Sequence, residues 1–178
     1  MNANKHTVAR SGVGGLCHCT ALRKASRRIS QLYDTALAPS GLKTTQRAIL
    51  SQIGRSEPTT VGALAEALVM DSGALAHTLK PLERDHFIAV TVDPADRRNR
   101  LITLTQRGRA KLAESEALWA KAQQGFEAGV GRADSDALRQ ALRLLISDDF
   151  AAAFANALSR SARRMPTGPD QRAQKRHV

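Results

Sequence analysis

A mainly α chain with one small β-hairpin is predicted from three observations. Aromatic residues make up only 3% of the 178 residues. The core must then be built of Leu, Ala, Ile and Val, which favours helices over a large sheet. Apolar residues recur at helical spacing along most of the chain. The period changes once, between residues 70 and 105. There a helical set, Leu75, Leu79 and Leu82, gives way to two short runs, 87–92 and 100–104, that read as strands. The turn between them, DPADRRN, is loaded with arginine.

Residues 1–14 are polar, contain glycine and lack pattern, so a flexible tail is expected. A helix begins near Leu16, with Leu22, Ala25, Ile29, Leu32, Tyr33, Ala36 and Leu37 on one stripe. Pro39, Ser40 and Gly41 stop it. Thr44 or Thr45 is expected to cap a second helix, which carries Ala48, Ile49, Leu50 and Ile53 and ends near Gly54. After a link at 57–60, a short helix spans 61–68. A tight turn at 69–71 leads into a helix from Ser72 to about Asp85. Two short helices joined in this way make a helix-turn-helix, and the hairpin behind them makes it winged. Pro81 has no N–H and crowds the preceding turn, so a bend is expected inside the second of these helices. Beyond the hairpin a long helix carries Leu112, Leu118, Trp119, Ala122 and Phe126, and is expected to break at Gly129 and Gly131. Asp134 or Ser135 would cap the next helix, which carries Leu138, Ala141, Leu142, Leu145 and Ile146. The pattern fades near Leu158, and 159–178 reads as a disordered basic tail.

The expected organisation is a winged helix-turn-helix DNA-binding domain at 41–108, flanked by a helical region at 15–40 and 109–158. The winged domain is too small to cover the apolar stripes of those flanking helices. A second copy would cover them, so a homodimer is expected. A twofold dimer implies a pseudo-palindromic duplex with half-sites about 10 base pairs apart.

The formal net charge of +11 points to a polyanionic partner. No apolar run approaches the roughly 18 residues of a spanning helix, and the N-terminus lacks a signal-peptide core. A cytoplasmic protein with no membrane partner is expected. Two cysteines two residues apart cannot form a disulfide framework. No nucleophile motif, acid–base pair, phosphate loop or metal-ligand spacing stands out, so neither an enzyme nor a cofactor nor a metal is expected. The low aromatic content disfavours single-strand stacking. A nonspecific basic nucleic-acid-binding or architectural protein is the alternative class.

The expected DNA-reading residues fall in two groups. Ser72, Gly73, Ala74, Ala76, His77 and Lys80 form the outer face of the second short helix, where small residues allow close approach and the polar ones supply hydrogen bonds. Arg97, Arg98 and Arg100 surround the hairpin tip with Asp96, within reach of a phosphate or the minor groove. A solvated helix face and a solvated turn are the plain alternatives. Cys17 and Cys19 flank His18 at the start of the first helix, where the helix dipole and the nearby Arg23 and Lys24 favour a thiolate. They can equally be small fillers at a dimer interface, or, with ligands from elsewhere, part of a metal site. Tyr33, Trp119 and Phe126 are candidates for an effector pocket or plain core. Arg23, Arg27 and Arg28 would suit a carboxylate.

In the order and spacing of several short pieces, the chain resembles the MarR family of transcriptional regulators over roughly residues 16–150. The pieces are Leu42 with Thr45-Gln46, Leu64-Ala65, Met70-Asp71-Ser72-Gly73 with Leu82-Glu83, Asp96-Arg97-Arg98, and Leu104-Thr105 with Gly108. The resemblance implies a dimeric winged-helix repressor released from its operator by a small molecule or by thiol oxidation; a small aromatic or an oxidant is the candidate effector. Arg98 matches the family's wing arginine that enters the minor groove, and Asp96 the acid that orients it. His77 stands where many members have arginine, and His86 where many have glycine. The start of the first helix is similar to the organic-hydroperoxide-sensing branch. There Cys19 falls on the reactive cysteine and Tyr33 on one tyrosine partner, while Arg23 replaces the other.

Overall fold

A computed structural model describes residues 17–164. The leading segment and residues 165–178 lie outside the described residues, and with them the expected N-terminal tail and most of the basic tail. The element order is α1 (His18–Leu37), a 3-10 turn (Ala38–Ser40), α2 (Thr44–Ser56), β1 (Thr59–Thr60), α3 (Val61–Ala67), α4 (Ser72–Arg84), β2 (Ile88–Val92), β3 (Arg100–Leu104), α5 (Gln106–Val130), α6 (Arg132–Leu145) and α7 (Asp148–Arg164). The chain divides into two compact units after Gly125, within α5.

In the first unit, α2, α3, α4 and the sheet enclose one apolar core. Leu42, Ile49, Leu50, Ile53, Leu64, Leu75, Leu79, Leu82, Phe87, Ile88, Ile102 and Leu104 are buried in it. Each such side chain contributes roughly 1.5–3 kcal/mol relative to leaving it in water. The sheet has three antiparallel strands in the order β1-β3-β2. Ile88 faces Leu104 and Val92 faces Arg100 in the hairpin, while Thr59 faces Ile102 on the other edge of β3. The link 57–60 therefore holds a strand. At two residues it is too short to show the alternation that betrays longer ones.

Gly54 does not end α2, which continues to Ser56. A side chain at Gly54 would meet Leu104 Cδ1 at 3.0 Å, so this glycine lets helix and strand approach. Neither threonine caps α2 as expected. Asp34 of α1 does so from outside, accepting from the Thr44 amide at 2.7 Å and the Thr44 hydroxyl at 2.8 Å. Gln46 Oε1 accepts from the Lys43 amide at 2.9 Å.

Both helices of the helix-turn-helix end in the same way. The Met70 amide donates to Ala65 and the Val69 amide to Glu66, closing α3. The Phe87 amide donates to Leu82 and the His86 amide to Glu83, closing α4. This pairing needs one residue in the left-handed region, normally glycine. Here Val69 (φ 51°) and His86 (φ 59°) occupy it, at roughly 1–2 kcal/mol of strain each. Helix α4 runs on through Pro81 to Arg84 as one helix. The proline removes one N–H, and the bonds of the closing turn hold the residues beyond it.

Gly108, in the first turn of α5, packs directly on the start of the hairpin. A Cβ there would lie 1.9 Å from the Phe87 carbonyl oxygen. Thr105 holds the same junction. Its hydroxyl donates to the His86 carbonyl at 2.6 Å and accepts from the Gly108 amide at 3.0 Å. Glu57 accepts from the Leu104 amide at 2.7 Å and pairs with Arg109.

In the second unit, α5 passes over Gly129 and ends at Val130, and Gly131 (φ 92°) makes the break. Helix α6 starts at Arg132, ahead of the expected caps. Asp134 lies in its first turn, where a negative charge suits the dipole. Leu138, Leu142, Leu144, Leu145 and Ile146 are exposed, as are Phe154 and Leu158 on α7. Phe150 and Phe154 stack with ring centroids 6.2 Å apart. Helix α7 extends to Arg164, so 159–164 are helical rather than tail.

Candidate nucleic-acid interface

Helix α4 is amphipathic in the sense the site requires. Leu75, Leu79 and Leu82 point into the core. Ser72, Gly73, Ala74, Ala76, His77 and Lys80 are all exposed, so the structure brings the predicted reading residues together on one outward surface. Asp71 fixes its start, its carboxylate accepting from the Gly73 amide at 2.9 Å and the Ala74 amide at 3.0 Å.

At the hairpin tip, residues 93–100 are all solvent-facing except the half-buried Asp93. Among the described residues Asp96 meets the backbone of Arg98 and forms no ion pair with its guanidinium. Its carboxylate accepts from the Arg98 amide at 3.0 Å and from Asn99 Nδ2 at 3.3 Å, and its carbonyl accepts from the Asn99 amide at 2.9 Å. Asp93 is spent in the same way, on the Ala95 amide at 2.8 Å. Both acids fold the turn. Arg97, Arg98 and Arg100 consequently have no ion-pair partner among the described residues. Three exposed arginines around one hairpin tip suit phosphate or the minor groove.

Within one chain the candidate effector residues are not all brought together. Tyr33 and Trp119 do meet, with ring centroids 5.0 Å apart and edge to face. They meet around Arg47, which the sequence did not single out. Its guanidinium lies 4.3 Å from the Trp119 ring centre, bonds Ser115 Oγ at 3.2 Å and pairs with Glu116. The Tyr33 hydroxyl donates to Gln123 Oε1. Burial lowers the Arg47 pKa, and the pairing with Glu116 offsets this only in part. This cluster ties α1, α2 and α5 together as packed structure. Cys19 and Tyr33 lie 14 residues apart on one helix, about 21 Å along its axis, so within one chain they cannot touch. Arg23, Arg27 and Arg28 are exposed on α1.

Cys17 and Cys19 are both exposed and reduced. Cys17 is the N-cap of α1. The Thr20 amide, then the Thr20 hydroxyl and the Cys19 amide, hold its thiol below the ordinary value. Cys17 lies two residues before the position the resemblance marks. Among the described residues no three His, Cys, Asp or Glu side chains are grouped to hold a metal ion, and no helix is long and apolar enough to cross a membrane.

These features define a winged helix-turn-helix protein. The MarR family model matches residues 42–99, from just before α2 to the wing tip. The regulator SarZ of Staphylococcus epidermidis is 33% identical over 91 residues, 51% of this chain and 62% of SarZ. The chain thus matches under two thirds of the length of these curated relatives. The transcriptional regulator MosR of Mycobacterium tuberculosis, solved in complex with DNA, is 31% identical with a TM-score of 0.67, covering 84% of this chain and 100% of MosR. The repressor CouR, bound to a 23-mer DNA duplex, is 26% identical with a TM-score of 0.68, covering 74% of this chain and 93% of CouR. The chain belongs to the MarR family of transcriptional regulators, whose members are not enzymes.

Proposed function

We propose that this protein is a cytoplasmic, dimeric regulator that represses by binding a pseudo-palindromic duplex, with α4 in the major groove and the wing tip in the adjacent minor groove. The observation that carries this reading is the wing tip. Its acids are engaged with its own backbone, and Arg97, Arg98 and Arg100 are left exposed beside a helix face of small residues, His77 and Lys80. MosR and CouR, both solved with DNA, support it. Dimerisation is supported by the exposed apolar residues of α6 and α7, which in one copy face water.

The test is binding-site selection followed by competition against scrambled duplex. A protein of this kind prefers its selected sequence by a factor on the order of 10³ or more, whereas a nonspecific architectural protein binds both equally. Arg98→Ala should lower the slope of log affinity against log salt by about one. An unchanged slope and affinity would remove Arg98 from the interface.

Release is proposed to follow oxidation of Cys17, the exposed thiol at the α1 N-terminus. Its thiolate attacks the peroxide O–O bond, forming a sulfenic acid and releasing water or an alcohol. Peroxide should free wild-type protein from its duplex and leave Cys17→Ser bound. Release that persists in Cys17→Ser but not in Cys19→Ser would move the role to Cys19. Release that persists in both, or a response to aromatic acids alone, would assign control to a ligand.

A further inference from the structure

We infer that Val69 is a sequence-reading residue whose isopropyl group packs on the C5-methyl of a thymine in the major groove. The inference rests on the DNA-reading function proposed above and names one base feature within it. Val69 occupies the turn between α3 and α4 with φ 51°, a region that a β-branched side chain tolerates worst. The turn itself demands that conformation, because the Val69 amide reaches Glu66 at 3.0 Å and the Met70 amide reaches Ala65 at 2.8 Å. Glycine or asparagine would supply it with less strain.

Burial does not offset the strain. Val69 is 67% exposed, while its neighbours Leu68 and Met70 pack against the core. A strained, apolar side chain left two-thirds exposed points to a use outside its own chain. Its place says where. Asp71, the cap of α4, follows two residues on, and Ser72 and Gly73 follow that, all exposed. Val69 thus stands beside the end of the helix presented to the groove. Valine has no charge for a phosphate and no donor or acceptor for a base edge. The thymine methyl is the apolar feature that the major groove displays.

The test uses the full chain and a duplex recovered by selection from a randomised library. Each thymine is replaced in turn by deoxyuridine, which deletes only the methyl. Wild type, Val69→Gly and Val69→Asn are titrated by fluorescence anisotropy and melted in parallel. One deoxyuridine position in each half-site should weaken wild-type binding about 4-fold, the worth of one buried methyl. Both variants should bind the parent duplex more weakly, ignore that replacement, and melt at or above the wild-type temperature. Wild type indifferent to every deoxyuridine, or variants that keep the wild-type pattern, would overturn the inference and leave the DNA-reading function standing. A selection that returns no sequence removes that function, and the inference with it.

Discussion

At the residue scale, the junction between hairpin and α5 depends on Gly108. With a Cβ only 1.9 Å from the Phe87 carbonyl, alanine cannot be seated without moving backbone on both sides. Gly108→Ala should destabilise the fold by about 3 kcal/mol, read as a lower urea midpoint. His86 offers the opposite sign. Its φ of 59° is one that glycine adopts freely, so His86→Gly should raise stability by up to about 1 kcal/mol. His86→Val should lower it, since branching at Cβ is least compatible with that region. Thermal melts of the two variants on opposite sides of wild type would establish that strain, rather than a lost contact, governs the position.

At the scale of elements, the structure shows one helix organised by another. Asp34 on α1 supplies the N-terminal acceptor of α2 and lies 3.7 Å from Lys43. Burial raises its pKa. The Thr44 amide and hydroxyl, helped by Lys43, more than offset this and hold it below the ordinary carboxylate value. A depressed folded-state pKa means the stabilisation is fully present above the unfolded-state value and fades as pH falls through the folded one. Asp34→Ala should therefore cost about 1 kcal/mol at neutral pH. The gap from wild type should close below about pH 4. A gap independent of pH in acid titrations followed by circular dichroism would show that lost packing, not the carboxylate, is responsible.

At the scale of the whole molecule, the exposed leucines of α6 set the expected assembly. Leu138, Leu142 and Leu145 recur at helical spacing and all face water in one copy. Leu142→Glu combined with Leu145→Glu should convert a dimer to a monomer in sedimentation equilibrium. It should also weaken binding to the selected palindromic duplex far more than binding to one half-site, because the two readers are no longer linked. A double variant that remains dimeric would place the interface elsewhere.

The amino-acid sequence by itself determined the local periods. Leu75, Leu79 and Leu82 announced α4, the short runs 87–92 and 100–104 announced the hairpin, and DPADRRN announced a cationic tip, because each depends on neighbours within a few residues. The outward face of α4 was legible for the same reason, since a buried stripe fixes the opposite one. Contacts between distant segments were decided only in the tertiary structure. Pairing of β1 with β3, the cap lent to α2 by Asp34, the seat of Gly54 on Leu104 and the Arg47–Trp119 contact all join residues whose proximity no local pattern encodes. Two further details came from the tertiary structure: Asp96 holds the tip's backbone, and neighbouring amides hold the Cys17 thiol below its ordinary value. Both outcomes hang on which amides a side chain can reach, and that is set by backbone geometry rather than by residue type.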